Sequence, residues 1–261
     1  MLLEGVLSWL PWVNARRGRL YDTAMSPQED ALLTRNVPAR GRLSSGQRRR
    51  LDGLTQIFLN EKTFEGCGGL ELTEDMALTI ACQACLLLVG LEEVDVPYPQ
   101  LDVLRVYPSA YRVSDPERDG ELEHVGSARL GESSYRGYIV LAWDHVLQGG
   151  RNPDDGRNVV LHEFAHQLDT VDGAGDGAPK LPSRSLYAPW ARVMGDAFEA
   201  LRATLDDGGR AMIDGYGSKN PAEFFAVVTE HFFEQGERLK AEHPELFEVL
   251  RRYYRVDPSV W

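Results

Sequence analysis

His162, Glu163 and His166 stand in the run HEFAH, an instance of H-E-x-x-H. Residues four apart lie on one face of an α-helix, one turn apart, so both imidazoles can reach a single zinc ion. The glutamate beside the first histidine then projects toward water as a general base. The chemistry this pattern predicts is zinc-dependent hydrolysis, above all of a peptide bond. The plainer alternative is a helix whose two histidines hydrogen-bond only to backbone and solvent. Asn158 fits as helix N-cap, and Val159, Val160, Leu161, Phe164, Ala165 and Leu168 predict a largely buried helix running to about Asp169. Burying two histidines and a glutamate among apolar neighbours is costly unless something satisfies them. A metal ion does so.

A zinc hydrolase needs a third protein ligand. Downstream candidates are Asp169, Asp172, Asp176, Glu223, Glu230 and His231. The metzincin pattern asks for a glycine and then a histidine soon after the second ligand, and Gln167 to Pro179 contains no histidine. A distant carboxylate on a second helix, the gluzincin arrangement, is therefore expected. The segment from Asn220 to Glu230 supplies such a helix, with Asn220 as N-cap and Pro221 at its first position. Two readings of Glu223 stay open at this point. It is either the third ligand or the outer member of a capping box that reaches back to the Asn220 amide. Glu230, two turns along the same face, is either a partner holding a ligand histidine or a solvated surface glutamate.

These residues resemble a known family. The runs VVLHEFAHQLD, DGAGDG-P and YGSKNPAEFFAVVTEHFFE look like the Mlc titration factor A family of bacterial zinc peptidases. The segments GCGGLELTEDMALTIACQACLLLVG, LDVLRVYPSAY and YRGYIVLAWDHV fit as well, so the resemblance runs from about Leu51 to Trp261. That family is in turn similar to the catalytic domain of anthrax lethal factor, where a Tyr-Gly segment precedes an A-E-F-F-A helix. The resemblance implies His162, His166 and Glu223 as ligands of one Zn2+ per chain, with Glu163 as general base. It implies Tyr216 as a catalytic tyrosine whose phenol donates to an oxyanion or helps protonate the leaving amine. On its own, Tyr216 reads as an ordinary packing aromatic of a loop. The resemblance also implies aminopeptidase-like action on short peptides and binding of the glucose repressor Mlc. One departure is notable: many gluzincins carry an acidic residue one turn after the ligand glutamate, and here that turn holds Ala226 and Val227. The partners of the two histidines stay open, with Glu230 and Asp169 as candidates.

Composition narrows the classes. The net charge of -12 argues against a direct nucleic-acid binder, because such proteins present a basic surface to phosphates. Any contact with a DNA-regulating system is expected to be protein–protein. The three cysteines make no disulfide framework. Cys82 and Cys85 form C-x-x-C inside the apolar run ALTIACQACLLLVG, and are expected as core residues rather than metal or redox groups. The apolar start MLLEGVLSWLPWV is interrupted by Glu4 and lacks the marks of a signal peptide. No run is long enough to span a bilayer. A cytoplasmic location with reduced thiols is expected.

The expected architecture is α+β. A zincin-like metallopeptidase core over residues 61–261 stands behind a helical N-terminal extension, residues 1–60. The arginines of that extension are read as a solvated face or as packing against the acidic body, with a partner-docking arm as the sharper alternative. A helix is expected over Ser44 to Glu61, another from Thr73 to Gly90, and strands over Leu101 to Tyr107 and Tyr135 to Trp143. The run YIVLAW is the candidate edge strand for pairing with extended substrate, an ordinary core strand being the alternative. Asp115 to Glu132 reads as a loop or hairpin. The glycine-rich stretch to Ser185 reads as a loop, either a flap or a set of tight turns. Further helices are expected over Pro189 to Leu205 and from Pro244 to about Tyr254. His124, His145, His231 and His243 lack metal-ligand spacing, though His231 stands beside Glu230. Two other functions remain in view: a weakly catalytic or non-catalytic titrating protein with a zinc site, and a zinc hydrolase of non-peptide amides.

Overall fold

The computed structural model describes residues 11–109, 137–171 and 173–261. The chain's first ten residues, the expected loop from Asp115 to Glu132, His124 and Asp172 lie outside them. Three helices open the described chain: α1 (Pro11–Tyr21), α2 (Pro27–Asn36) and α3 (Ser45–Glu61). The helix α3 matches the expected span from Ser44 to Glu61, with Ser44 as its cap, accepting from the Gln47 amide while Gln47 reaches back. The strand β1 (Thr63–Gly66) and the helix α4 (Glu74–Leu86) follow. Thr73 caps α4, and nine of its residues from Leu78 to Leu86 are buried, Cys82 and Cys85 among them. Those two are free core thiols, and burial pushes the Cys82 thiol up to about 12. The helix ends at Leu86, short of Gly90. The chain there turns beneath the Tyr254 and Arg255 carbonyls, which an added Cβ on Gly90 would strike.

The sheet has three strands in the order β1–β2–β3, each parallel to its neighbour, with β2 (Val103–Tyr107) in the middle. Leu104, Val106, Ile139 and Leu141 point into the core. The strand β3 (Tyr138–Ala142) lies at one edge among the described residues. It stops at Ala142, one residue before the expected end, because Trp143 begins the helix α5 (Trp143–Arg151). That helix was not foreseen. Its first residue, Trp143, continues the apolar run of the strand, so no break in pattern marks the boundary itself.

The rest is helical: α6 (Val159–Asp169), α7 (Tyr187–Asp206), α8 (Pro221–Glu234), α9 (Gly236–Glu242) and α10 (Pro244–Tyr254). Helix-rich with a small parallel sheet, the fold is α+β. Every residue of α8 from Glu223 to Glu234 is buried, and α8 lies against α6. The α8 rings Phe225, Phe232 and Phe233 stack and cross with one another and with Tyr254 of α10 at centroid distances of 4.9 to 6.5 Å. Such rings bury large apolar areas and fix orientation through edge-to-face geometry.

The arginines of the first helices pack against acidic groups. Arg17 pairs with Glu61, Arg42 with Asp154, and Arg48 with Asp30. Arg40 is buried and pairs with both Asp30 and Asp52. None of the described helices is long and apolar enough to cross a membrane.

Phe164, on the far side of α6 from its histidines, ties that helix to the body. Its ring lies 4.6 Å from that of Tyr98 and 5.7 Å from that of Phe58, centroid to centroid. Phe164→Ala is expected to cost about 3–5 kcal/mol of stability, because the surrounding rings cannot close the cavity. Urea unfolding measures this, and a loss below about 1 kcal/mol would contradict the packing described.

Candidate metal centre

Two buried helices build the centre. Asn158 caps α6 by accepting from the Val160 and Leu161 amides at 3.0 and 3.1 Å. From that start the four-residue spacing brings His162 and His166 to one face, with ring centroids 4.9 Å apart. Asn220 caps α8, its side chain accepting from the Glu223 amide at 2.9 Å. The Glu223 carboxylate does not close a capping box. It turns across to α6 instead, with Oε2 lying 3.0 Å from His162 Nε2 and 3.5 Å from His166 Nε2.

His162, His166 and Glu223 each offer one donor atom, and those atoms all lie within 4.8 Å of one another. All three side chains are buried. The two Nε2 atoms are 3.2 Å apart, so they cannot both carry hydrogens toward each other. Glu230 accepts from His162 Nδ1 at 2.8 Å and from the Asn158 amide at 2.5 Å. One of the two open readings of Glu230 thus matches its position: it is buried and directs the His162 ring. The Asp169 carboxylate, the other suggested partner, accepts the Gly177 amide at 3.0 and 2.8 Å and so anchors the glycine-rich loop.

The electrostatics follow from this crowding. Burial opposes charge on His162, but hydrogen bonds to Glu223 and Glu230 outweigh it and raise its pKa to about 10. Burial pushes His166 the other way, below the usual histidine range. Burial also opposes ionisation of Glu223, and bonds from the two histidines bring it down to about 2. Glu163 has no such donors. Burial pushes its carboxyl up to about 8, and its Oε1 is buried without a hydrogen-bond partner. Two ring nitrogens and a carboxylate oxygen converging beside a bare carboxylate form a donor set suited to a divalent cation.

His162 and Glu163 line an open cleft of about 470 Å³ together with Tyr216, Asp214 and Arg157. Tyr216 stands on a short turn, Gly215–Ser218, packed against α8. Its ring centroid is 5.8 Å from that of His162, and the Lys219 ammonium lies 3.8 Å from its centre. The cleft also involves residues that the sequence did not single out. Asp214 accepts the Tyr216 amide at 3.0 Å and pairs with Arg157 at 2.9 Å. An aspartate whose side chain accepts the amide two residues on is a recognisable Asx signature. Its pairing with Arg157 has no local signal. Glu234 is likewise new: it accepts from the Arg157 amide and the Asn158 side chain at 3.0 and 3.1 Å, and burial pushes it up to about 9.

The sequence profile of the glucose-regulated metallo-peptidase M90 family matches residues 12–255. The chain belongs to this family. Among relatives, an uncharacterized protein of Synechocystis is 41% identical over 99% of this chain and 96% of that protein. Mlc titration factor A of Klebsiella pneumoniae is 33% identical over 90% of this chain and 88% of that protein. The protein of the same name from Salmonella agona is 32% identical over 89% and 87%. The family resemblance read from the sequence is thereby shown. An M90 metallo-peptidase implies a metal ion, and the buried His162–His166–Glu223 cluster is a possible site for one.

Asn158 does more than cap α6, since its side-chain nitrogen also bonds Gln83 at 3.0 Å. Asn158→Ala removes the cap and strands buried partners on two other helices. The expected loss of stability is about 2 kcal/mol or more. A thermal or urea melt checks this, and an unchanged melt would show that the buried network carries no weight.

Proposed function

We propose that this chain is a zinc-dependent peptidase of the gluzincin type on a zincin-like core, with aminopeptidase-like action on short peptides. The observation that carries the reading is the convergence of His162, His166 and Glu223 beside the unpartnered Glu163 carboxylate. In this reading His162 and His166 hold one Zn2+ through Nε2, and Glu223 holds it through a carboxylate oxygen. Zinc, when bound, supplies a Lewis acid that polarises a carbonyl and acidifies water. Glu163 takes the proton of the attacking water and later passes it to the leaving amine. Its burial favours a carboxyl able both to take and to return a proton near neutrality, and a cation beside it moves that balance back toward the base. The Tyr216 phenol donates to the oxyanion of the tetrahedral intermediate. Glu230 keeps the His162 ring turned toward the site by occupying Nδ1. Extended substrate lies along β3, the edge strand among the described residues. Residues 1–60 act as a helical N-terminal extension to the catalytic portion, 61–261. Free thiols at Cys67, Cys82 and Cys85 favour a cytoplasmic setting.

A second reading is favoured by the names of the relatives from Klebsiella and Salmonella. In it the chain binds a repressor of the Mlc type by protein–protein contact, beside its peptidase activity or in place of it.

The decisive comparison is cleavage of a mixed peptide library by zinc-loaded wild type and Glu163→Gln, with zinc content measured in both. Glu163→Gln is expected to lose cleavage by about 10²-fold or more while keeping zinc. No cleavage by either protein with zinc bound would favour the repressor-binding reading. Tyr216→Phe is expected to lower turnover by about 10²-fold, with zinc content unchanged. Wild-type turnover in that variant would remove the phenol from the chemistry.

Zinc uptake carries a pH dependence with a definite sign. Without metal, His162 holds its proton up to about pH 10, and zinc competes for the same nitrogen. Uptake therefore releases a proton, and apparent affinity rises ~tenfold per pH unit below that value. Glu223→Ala is expected to weaken zinc binding by about a hundredfold or more. Titration calorimetry across a pH series measures both effects. Full zinc affinity in Glu223→Ala would return that glutamate to a helix-capping role.

A further inference from the structure

His231 is buried on α8, one residue after Glu230. Its Nε2 lies 3.1 Å from the Asp214 amide. An amide N–H only donates, so this ring nitrogen accepts. Its Nδ1 lies 3.1 Å from Gln235 Oε1, and Gln235 in turn donates through Nε2 to the Asp154 carbonyl at 3.0 Å. The glutamine is thus oriented with its oxygen toward the ring, and the imidazole is the neutral tautomer with hydrogen on Nδ1. Asp214, whose amide the ring receives, accepts the Tyr216 amide through its own carboxylate. Two successive links therefore tie the Tyr216 turn to the helix that carries Glu223.

The same turn has a second tie, the Asp214–Arg157 ion pair, but the Arg157 side chain is 74% exposed. Exposed pairs contribute little once solvent and salt screen them. The buried imidazole link is the stronger constraint. Gly156 shows how closely the surroundings fit the ring. It adopts φ +74°, and a Cβ there would come within 2.3 Å of His231 Nδ1. Only glycine takes that conformation without strain and lets the backbone lie against the imidazole.

We propose that His231 is a positioning residue, which pins the Asp214–Tyr216 turn to α8 and so fixes the Tyr216 phenol beside the His162–Glu163 face of the cleft. The inference rests on the role given to Tyr216 above. Because α8 supplies both Glu223 and His231, the phenol and the metal cluster are held in one frame. An error of about 1 Å in such a frame costs on the order of a hundredfold in rate.

The test uses the full chain and two readouts. In His231→Leu, amide hydrogen exchange at Asp214 and Tyr216 is expected to accelerate while the body of α8 stays protected. In the zinc-loaded protein, kcat on a cleaved peptide is expected to fall by about ten- to a hundredfold, with KM and zinc content near wild type. His231→Gln, which keeps an acceptor, is expected to recover most of that loss. Combined with Tyr216→Phe, His231→Leu is expected to add no further loss. Should His231→Leu fail to fold, Gly156→Ala leaves His231 in place, crowds its ring, and carries the same expectations. Unchanged exchange at Asp214 and Tyr216 overturns the pinning, whatever Tyr216 does. Additive losses in the double variant overturn the route through Tyr216. Accelerated exchange together with a fully active Tyr216→Phe supports the pinning and rejects the catalytic role of the phenol.

Discussion

The contact between Glu223 and His162, 3.0 Å across the seam of α8 and α6, sets terms that the surrounding structure must meet. Carboxylates and imidazoles do not enter an apolar interior cheaply. Here Glu163, Glu223, Glu230 and Glu234 are all buried, with His162 and His166 among them. Each of these groups except Glu163 is matched by a donor or an acceptor, through both histidines, the Asn158 side chain and the amides at the start of α6. The two helix caps are part of the same arrangement. Asn158 and Asn220 fix where each helix begins, and so fix which turn of α6 faces which turn of α8.

Apolar packing holds that alignment. On one side of the pair, Phe164 locks α6 against Phe58 and Tyr98. On the other, Phe225 and Phe232 of α8 stack on Tyr254 of α10. Close-packed interiors transmit strain rather than absorb it. A polar cluster set between two such walls keeps its geometry before any ligand arrives, which is the preorganisation that catalysis by charge stabilisation requires.

What was legible in the sequence is what depends on local order. The helices around His162 and Glu223, their asparagine caps and the burial of Cys82 and Cys85 all follow from periodicity and cap chemistry within a few residues. The start of α5 was not legible, because Trp143 extends the apolar run of β3. Glu223 is the instructive case. Locally, Asn220 and Glu223 satisfy a capping-box pattern as well as a ligand pattern, and the choice is made by His162, sixty-one positions away. Glu230 could be given a partner only once α6 lay against α8. The pairing of Arg157 with Asp214, and of His231 with the Asp214 amide, likewise crosses elements with no shared pattern. Side chains that couple distant elements are the ones a single sequence leaves undetermined.

We propose the buried α6–α8 cluster as the metal site of this chain. X-ray absorption at the zinc edge, on protein loaded with one equivalent of zinc, tests it most directly. The account predicts two imidazole nitrogens and a carboxylate oxygen in the first shell at about 2.0–2.2 Å. A sulfur shell at about 2.3 Å, or fewer than two imidazoles, would contradict it by pointing to the cysteines or to the surface instead.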